Sequence, residues 1–178
     1  DAIQCLISRR SIREYTDEPI SAQEIENVVE IAQMASCWEN TQPIRYVAVL
    51  EKELKDKIAD DDEEIPMEHG KYPCRTGADG ALRHQGALGY EPDGSPSTSQ
   101  GTHWQSFDAG VAAAHFCLAA NALELGTLIM GRYDEVKIKD ILSLPEEYDV
   151  SAIIAVGHPA VIPAANERKP LKEVLSFR

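Results

Sequence analysis

Phe107-Asp108-Ala109-Gly110-Val111-Ala112-Ala113-Ala114-His115-Phe116-Cys117-Leu118-Ala119-Ala120-Asn121-Ala122-Leu123-Glu124-Leu125 is the most informative run of the chain for its architecture. It is almost wholly apolar and rich in alanine, and Gly126 stands where a C-cap would close a helix. A helix that is apolar all round must be buried on every side. In a domain of 178 residues, a partner subunit is the expected source of part of that cover. The alanines would let two such helices approach closely.

After this helix, Thr127 to Met130 reads as a short apolar strand ending in Gly131. Val136, Ile138, Ile141 and Leu142 mark a short helix stopped near Pro145, and Ser151 to Val156 is a β-branched strand. The tail runs from Pro163 to Arg178, with Arg168-Lys169-Pro170 as its basic feature. Towards the N-terminus, Ile3, Leu6 and Ile7 give Ala2 to Ser8 a helical spacing. Ser21 with Glu24 forms a capping box, and Ile25, Val28, Val29 and Ala32 line one face of a helix ending near Ala35. Tyr46 to Leu50 reads as a buried strand and Glu51 to Ala59 as a short charged helix. The acidic run Asp60 to Glu64 then faces water. Strands and helices alternate without internal repeats, which gives one α/β or α+β domain over residues 1–178 with a small central sheet.

Composition narrows the function. The hydrophobic share is 43%, the net charge is -13 and the sequence pI is about 4.7, which argues against nucleic acid as a partner. No apolar run reaches the ~20 residues of a membrane span. The four cysteines, Cys5, Cys37, Cys74 and Cys117, are widely spaced and form no CxxC pair, so reduced thiols in a cytoplasmic protein are expected. The five histidines have no zinc-like spacing, and no metal is indicated. GxSxG, GxGxxG and P-loop motifs are absent.

What remains is anion chemistry. Arg9-Arg10-Ser11-Ile12-Arg13 places three guanidiniums within five residues of an acidic chain. Their mutual repulsion is relieved by a bound anion, and the guanidinium fork matches phosphate geometry. The bland readings are a solvated basic turn and, for Arg9 and Arg10, complementation of the negative end of a helix dipole. Arg13 lies beyond that second explanation. Arg168-Lys169 is a second candidate clamp, and the loop Ser36 to Gln42 is rich in donors that could read the edge of a heterocycle. These parts suit a phosphorylated ring cofactor.

Arg9 to Tyr15 followed by Pro19-Ile20 resembles the opening motif of the nitroreductase-like flavoproteins. Ala35-Ser36-Cys37-Trp38-Glu39-Asn40-Thr41-Gln42-Pro43 is similar to that family's second motif, with Ser36 in place of its usual proline. Asp108 to Arg132, Ser151 to Pro159 and Arg168-Lys169-Pro170-Leu171 resemble its central helix and strand, its last strand and its C-terminal phosphate-binding signature. The resemblance implies an α+β, three-layer α/β/α sandwich with a mostly antiparallel central sheet, forming an intertwined homodimer with FMN at the subunit interface. It implies that Arg9, Arg10 and Ser11 grip the phosphate and ribityl end, that Arg13 lies near the polar edge of the ring, and that Arg168 completes the clamp. Ser36, Cys37, Trp38, Asn40 and Gln42 would come from the other subunit. Backbone groups of Ile129, Met130 and Gly131 would approach the isoalloxazine. The implied activity is ping-pong hydride transfer from NADH or NADPH through FMN to a small aromatic, quinone or other electron-poor acceptor. No side chain is assigned as general acid. The alternative is a flavin-binding storage or sensor protein without turnover.

Met67 to Gly89 interrupts this order. It is polar and aperiodic where the family places an apolar strand, so the segment as it stands implies a sheet short of a strand. Back-translated with plausible codons and read one nucleotide forward, it permits roughly W-N-M-E-N-T-P-A-V-L-V-L-T-V-L-C-V-T-K-G-R-S-G, an Asn-Thr-Pro entry to an apolar β-run that rejoins the frame at Tyr90. A compensated frameshift is the expectation, against a genuine divergent insertion. Tryptic mass spectrometry checks it: the peptide Tyr72-Pro73-Cys74-Arg75 should be missing, and its detection would sink the frameshift.

Overall fold

The computed structural model describes residues 1–59, 91, 93, 95–101 and 103–178, together with the backbone of 78–84. Cys74 and the acidic run Asp60 to Glu64 lie outside the described residues, as does most of Met67 to Gly89. In chain order the elements are α1 (Ala2–Ser8), α2 (Ala22–Ala32), β1 (Ile44–Val49), α3 (Lys52–Ala59) and β2 (Ala78–His84). They continue with α4 (His103–Ala122), β3 (Gly126–Met130), α5 (Glu135–Leu142), β4 (Tyr148–Gly157) and the single turn α6 (Leu171–Val174).

Local chemistry starts the helices where the sequence signals them. At α2 the Ser21 hydroxyl accepts the Glu24 N–H at 3.2 Å, and the Glu24 carboxylate accepts the Ser21 N–H at 2.8 Å. Hydrogen bonds from the Ser21 hydroxyl and then its backbone hold the Glu24 carboxyl below its ordinary pKa, so the box keeps its charge at neutral pH and weakens on acidification. At α5 the Asp134 side chain accepts the Lys137 N–H.

The strands form one sheet in the order β1-β2-β4-β3, and every pairing among the described strands is antiparallel. One face carries α4 with α2 outside it, around a core of Phe116, Ile154, Val28 and Val156, all fully buried. The other face carries α3 and α5 over Val49, Ile58, Ile138, Val150 and Ile153. The fold is therefore the expected α+β, α/β/α sandwich. Within one protomer α4 is not covered on every side: Phe107, Gly110, Ala114 and His115 are exposed along one stripe.

Two expectations are corrected. The sheet does not lack a strand, because β2 fills the slot between β1 and β4, with Asp79 in register between Ala48 and Ile154. A strand with layers on both faces calls for apolar residues, so Asp79, Arg83 and His84 stand in an unexpected place.

Gly126, in turn, is not a helix C-cap. The helix stops at Ala122, the left-handed position is Glu124 with φ 63°, and Gly126 opens β3. A Cβ there would meet Ile12 Cγ1 at 2.6 Å and Ile12 Cβ at 2.9 Å. Glycine is needed because the N-terminal segment crosses β3 in contact with it. Replacing Gly126 with Ala should cost about 1–3 kcal/mol in urea unfolding, the usual cost of overpacking. Ile12→Ala in the same chain should cancel part of that loss; strict additivity of the two would sink the explanation.

Candidate functional site

Helix α1 is amphipathic but buries little, and it is tied to α4 by polar contacts instead. Asn121 Nδ2 donates to the Cys5 carbonyl and to Ser8 Oγ, each at 3.1 Å, and the Cys5 thiol donates to the Leu118 carbonyl. These contacts fix where the chain leaves the helix. From there it runs beside β3: Ser11 bridges Thr127, and the Ile12 N–H donates to the Thr127 carbonyl at 2.9 Å. The turn carrying Arg9, Arg10 and Ser11 is thus seated by backbone on the sheet.

A cavity of about 390 Å³ opens there, lined by Leu6, Arg9, Ser11, Cys117, Thr127 and Ile129 among others. The Arg10 guanidinium turns back to donate to the carbonyls of Ile7 and Arg9, at 2.8 and 2.9 Å, closing the end of α1. Arg13 is exposed and donates weakly to the Ser11 carbonyl at 3.4 Å. Among the described residues none of these three guanidiniums pairs with a carboxylate, although the chain carries 30 acidic residues. Burial pushes the Cys117 thiol pKa up, against smaller opposing effects of Thr127 and Arg9. At the open end Ile129 is 49% exposed, and among the described residues, apart from Gly131 and its two chain neighbours, no atom lies within 4 Å of the position a Gly131 Cβ would take. Met130 is half-buried and packs into the opposite core. An anion at the guanidiniums and a flat group along Ile129 to Gly131 fit this donor set and this open edge.

The loop Ser36 to Gln42 is elsewhere. It follows α2 and turns through a single 3-10 turn at Trp38–Asn40, with Glu39, Asn40 and Gln42 at φ 46°, 57° and 48°. Ser36, Cys37 and Gln42 line a second cavity of about 260 Å³ with Tyr46, Asp108 and Ala112. Among the described residues the two cavities share no lining residue; they lie on different flanks of α4. One protomer therefore does not bring the arginine turn and this loop together. Arg168 is also apart: residues 160–178 are exposed, and Arg168 donates to the carbonyls of Asn166 and Glu167 in its own tail.

Sequence reading missed Thr127, Cys117 and Asp108. Thr127 and Cys117 carry no local signal, since their place depends on how the N-terminal turn crosses β3. Asp108 does carry one, as the single acidic residue of an apolar helix, where a buried carboxylate needs a partner.

The "Nitroreductase family" model matches residues 6–158. The chain is 30% identical over 186 residues to an FMN reductase (NAD(P)H) of Bacillus subtilis, covering 98% of this chain and 72% of that protein. It is 27% identical to an NADH dehydrogenase of Thermus thermophilus, covering 100% and 96%. Among solved structures, NfrA1 of B. megaterium superposes with a TM-score of 0.81 at 26% identity, over 99% of this chain and 73% of that one. A nitroreductase family protein from Streptococcus pneumoniae also reaches 0.81, at 17% identity and full coverage of both chains. A match that runs from the first helix to the end of β4, on a fold held in common with these structures, means that the chain belongs to the nitroreductase family.

Proposed function

We propose that this protein is an FMN-dependent NAD(P)H oxidoreductase that passes reducing equivalents to a small electron-poor acceptor. The observation that carries the reading is the cavity lined by Arg9 and Ser11, on a turn whose three arginines have no carboxylate partner among the described residues. The relatives' names, FMN reductase and NADPH-flavin oxidoreductase, support the same chemistry.

Arg9, Arg10 and Ser11 would hold the phosphate and ribityl end, and Arg13 the polar edge of the ring. Ile129, Met130 and Gly131 would present backbone to the ring's flat face. FMN supplies the hydride acceptance and release that no side chain here can perform. The protein's part is position and charge: guanidiniums neutralise the phosphate, and the open space at Gly131 leaves the ring accessible.

The remaining site residues complete this cavity from a second protomer. Within one chain Ser36, Cys37, Trp38, Asn40 and Gln42 stand on the other flank of α4, and Arg168 stands on a projecting tail. A homodimer reconciles both facts. It is supported by the exposed apolar side chains of α1 (Ile3, Leu6, Ile7), of α4 (Phe107) and of the tail (Leu171, Val174, Phe177). No helix among the described residues is long and apolar enough to cross a membrane. A cytoplasmic location, expected from the thiols, belongs to the same proposal.

The purified protein should be yellow, and anaerobic NADH or NADPH should bleach it. Flavin that stays oxidised with both would favour a storage or sensor role. Arg9→Ala should weaken FMN binding by about 10- to 100-fold, the scale of one charge-assisted hydrogen bond. Riboflavin binding and thermal stability should hardly move; an equal loss of riboflavin would put Arg9 away from the phosphate.

A further inference from the structure

We propose that Asp108 is a positioning residue that fixes the Trp38 to Gln42 turn in the form that meets the flavin, a role that rests on the flavin site proposed for this chain. Asp108 sits within α4 and is 3% exposed. A carboxylate so enclosed is tolerated only when it is hydrogen-bonded. Its Oδ2 accepts the backbone N–H of Trp38 at 2.9 Å, seventy residues away in sequence.

The same helix grips the turn a second time. Trp104, four residues before Asp108 and so on the same face, packs its ring against Trp38 with centroids 4.8 Å apart. The Trp104 indole N–H is satisfied by Thr98 Oγ1 at 2.8 Å, which fixes the ring that Trp38 meets. Trp38 is thus held by its backbone and by its side chain, both from α4.

The backbone just after Trp38 requires such an anchor. Glu39, Asn40 and Gln42 are all left-handed without being glycine, a conformation that costs free energy at each residue. The turn's own bonds join it only to itself: the Asn40 N–H to the Cys37 carbonyl at 3.3 Å, the Thr41 N–H and Oγ1 to the Trp38 carbonyl at 2.9 and 2.8 Å, the Gln42 N–H to Cys37 Sγ at 3.3 Å, and Gln42 Nε2 to Asn40 Oδ1 at 3.4 Å. Strain of this kind persists only where the surroundings over-determine the backbone, and Asp108 with Trp104 supplies that constraint. Asp108 does not touch the ring; it sets where Asn40 and Gln42 can reach.

The test compares Asp108→Leu, which has nearly the same shape and no acceptor, with Asp108→Asn, which keeps a neutral acceptor, in the full chain. Amide hydrogen exchange reads the anchor without any flavin. Exchange at Trp38 and through the turn should quicken in the leucine variant while the core of α4 stays protected, with asparagine intermediate. FMN and riboflavin should both weaken, by about tenfold, because the loop serves the ring and not the phosphate. Unchanged exchange at Trp38, or weakening of FMN alone, would overturn the proposal. Should the leucine variant fail to fold, asparagine decides: wild-type exchange and wild-type flavin binding together would sink it. A wild-type chain that takes up neither flavin would end the flavin reading, while exchange at Trp38 would still report on the anchor.

Discussion

Burial of α4 against the sheet governs the geometry of the whole molecule. Phe116 is fully enclosed between the helix and the strands, stacked on Tyr46 with ring centroids 5.7 Å apart, and Val28 of α2 closes the other side. Apolar area leaving water contributes about 25 cal/mol per Å², and this layer holds the largest fully buried side chains. Because the helix is clamped between sheet and α2, its flanks become fixed walls. One flank, at Asp108 and Ala112, carries the Ser36 to Gln42 loop; the other, at Ala114, Cys117 and Leu118, backs the arginine turn. A single element therefore lies between two cavities that share no lining residue among those described.

Electrostatics and backbone geometry act together at the second flank. Arginines placed on a free tail would gain little from one another, but here the chain is pinned by the Ile12 N–H on Thr127 and by the close approach of Ile12 to Gly126. Pinning fixes the backbone that carries Arg9, Arg10 and Ser11, so part of the entropy of gathering those donors is met by folding and not by binding. Preorganisation of this kind favours an anion over water. An overall charge of -13 makes a turn with three arginines within five residues stand out from the rest of the chain.

Much of this was legible in the sequence, and for identifiable reasons. Helix periodicity and the Ser21–Glu24 capping box are local signals, so α1, α2 and α5 stand where the pattern put them. The arginine cluster was readable because charge density needs no tertiary knowledge. Gly126 was misread because a glycine after a helix has two explanations, a left-handed cap and a close backbone approach, and only the crossing of Ile12 separates them. The strand at 78–84 was invisible because its residues lack the apolar pattern that its central place calls for; pairing with β1 and β4 defines it instead. The partition of the site residues between two flanks of α4 also depends on tertiary structure, since spacing along a chain carries no information about the side of a helix to which a distant loop returns.

Cys117 shows what enclosure does to reactivity. Its sulfur shares a cavity with Arg9 and Thr127, yet it is 3% exposed, and burial keeps its proton on. The thiolate is the nucleophilic and oxidisable form of cysteine. A buried thiol held in its protonated form is less reactive towards oxidants than an exposed thiolate. The packing that shapes the cavity thus also keeps the sulfur in its wall in the protonated, less oxidisable form.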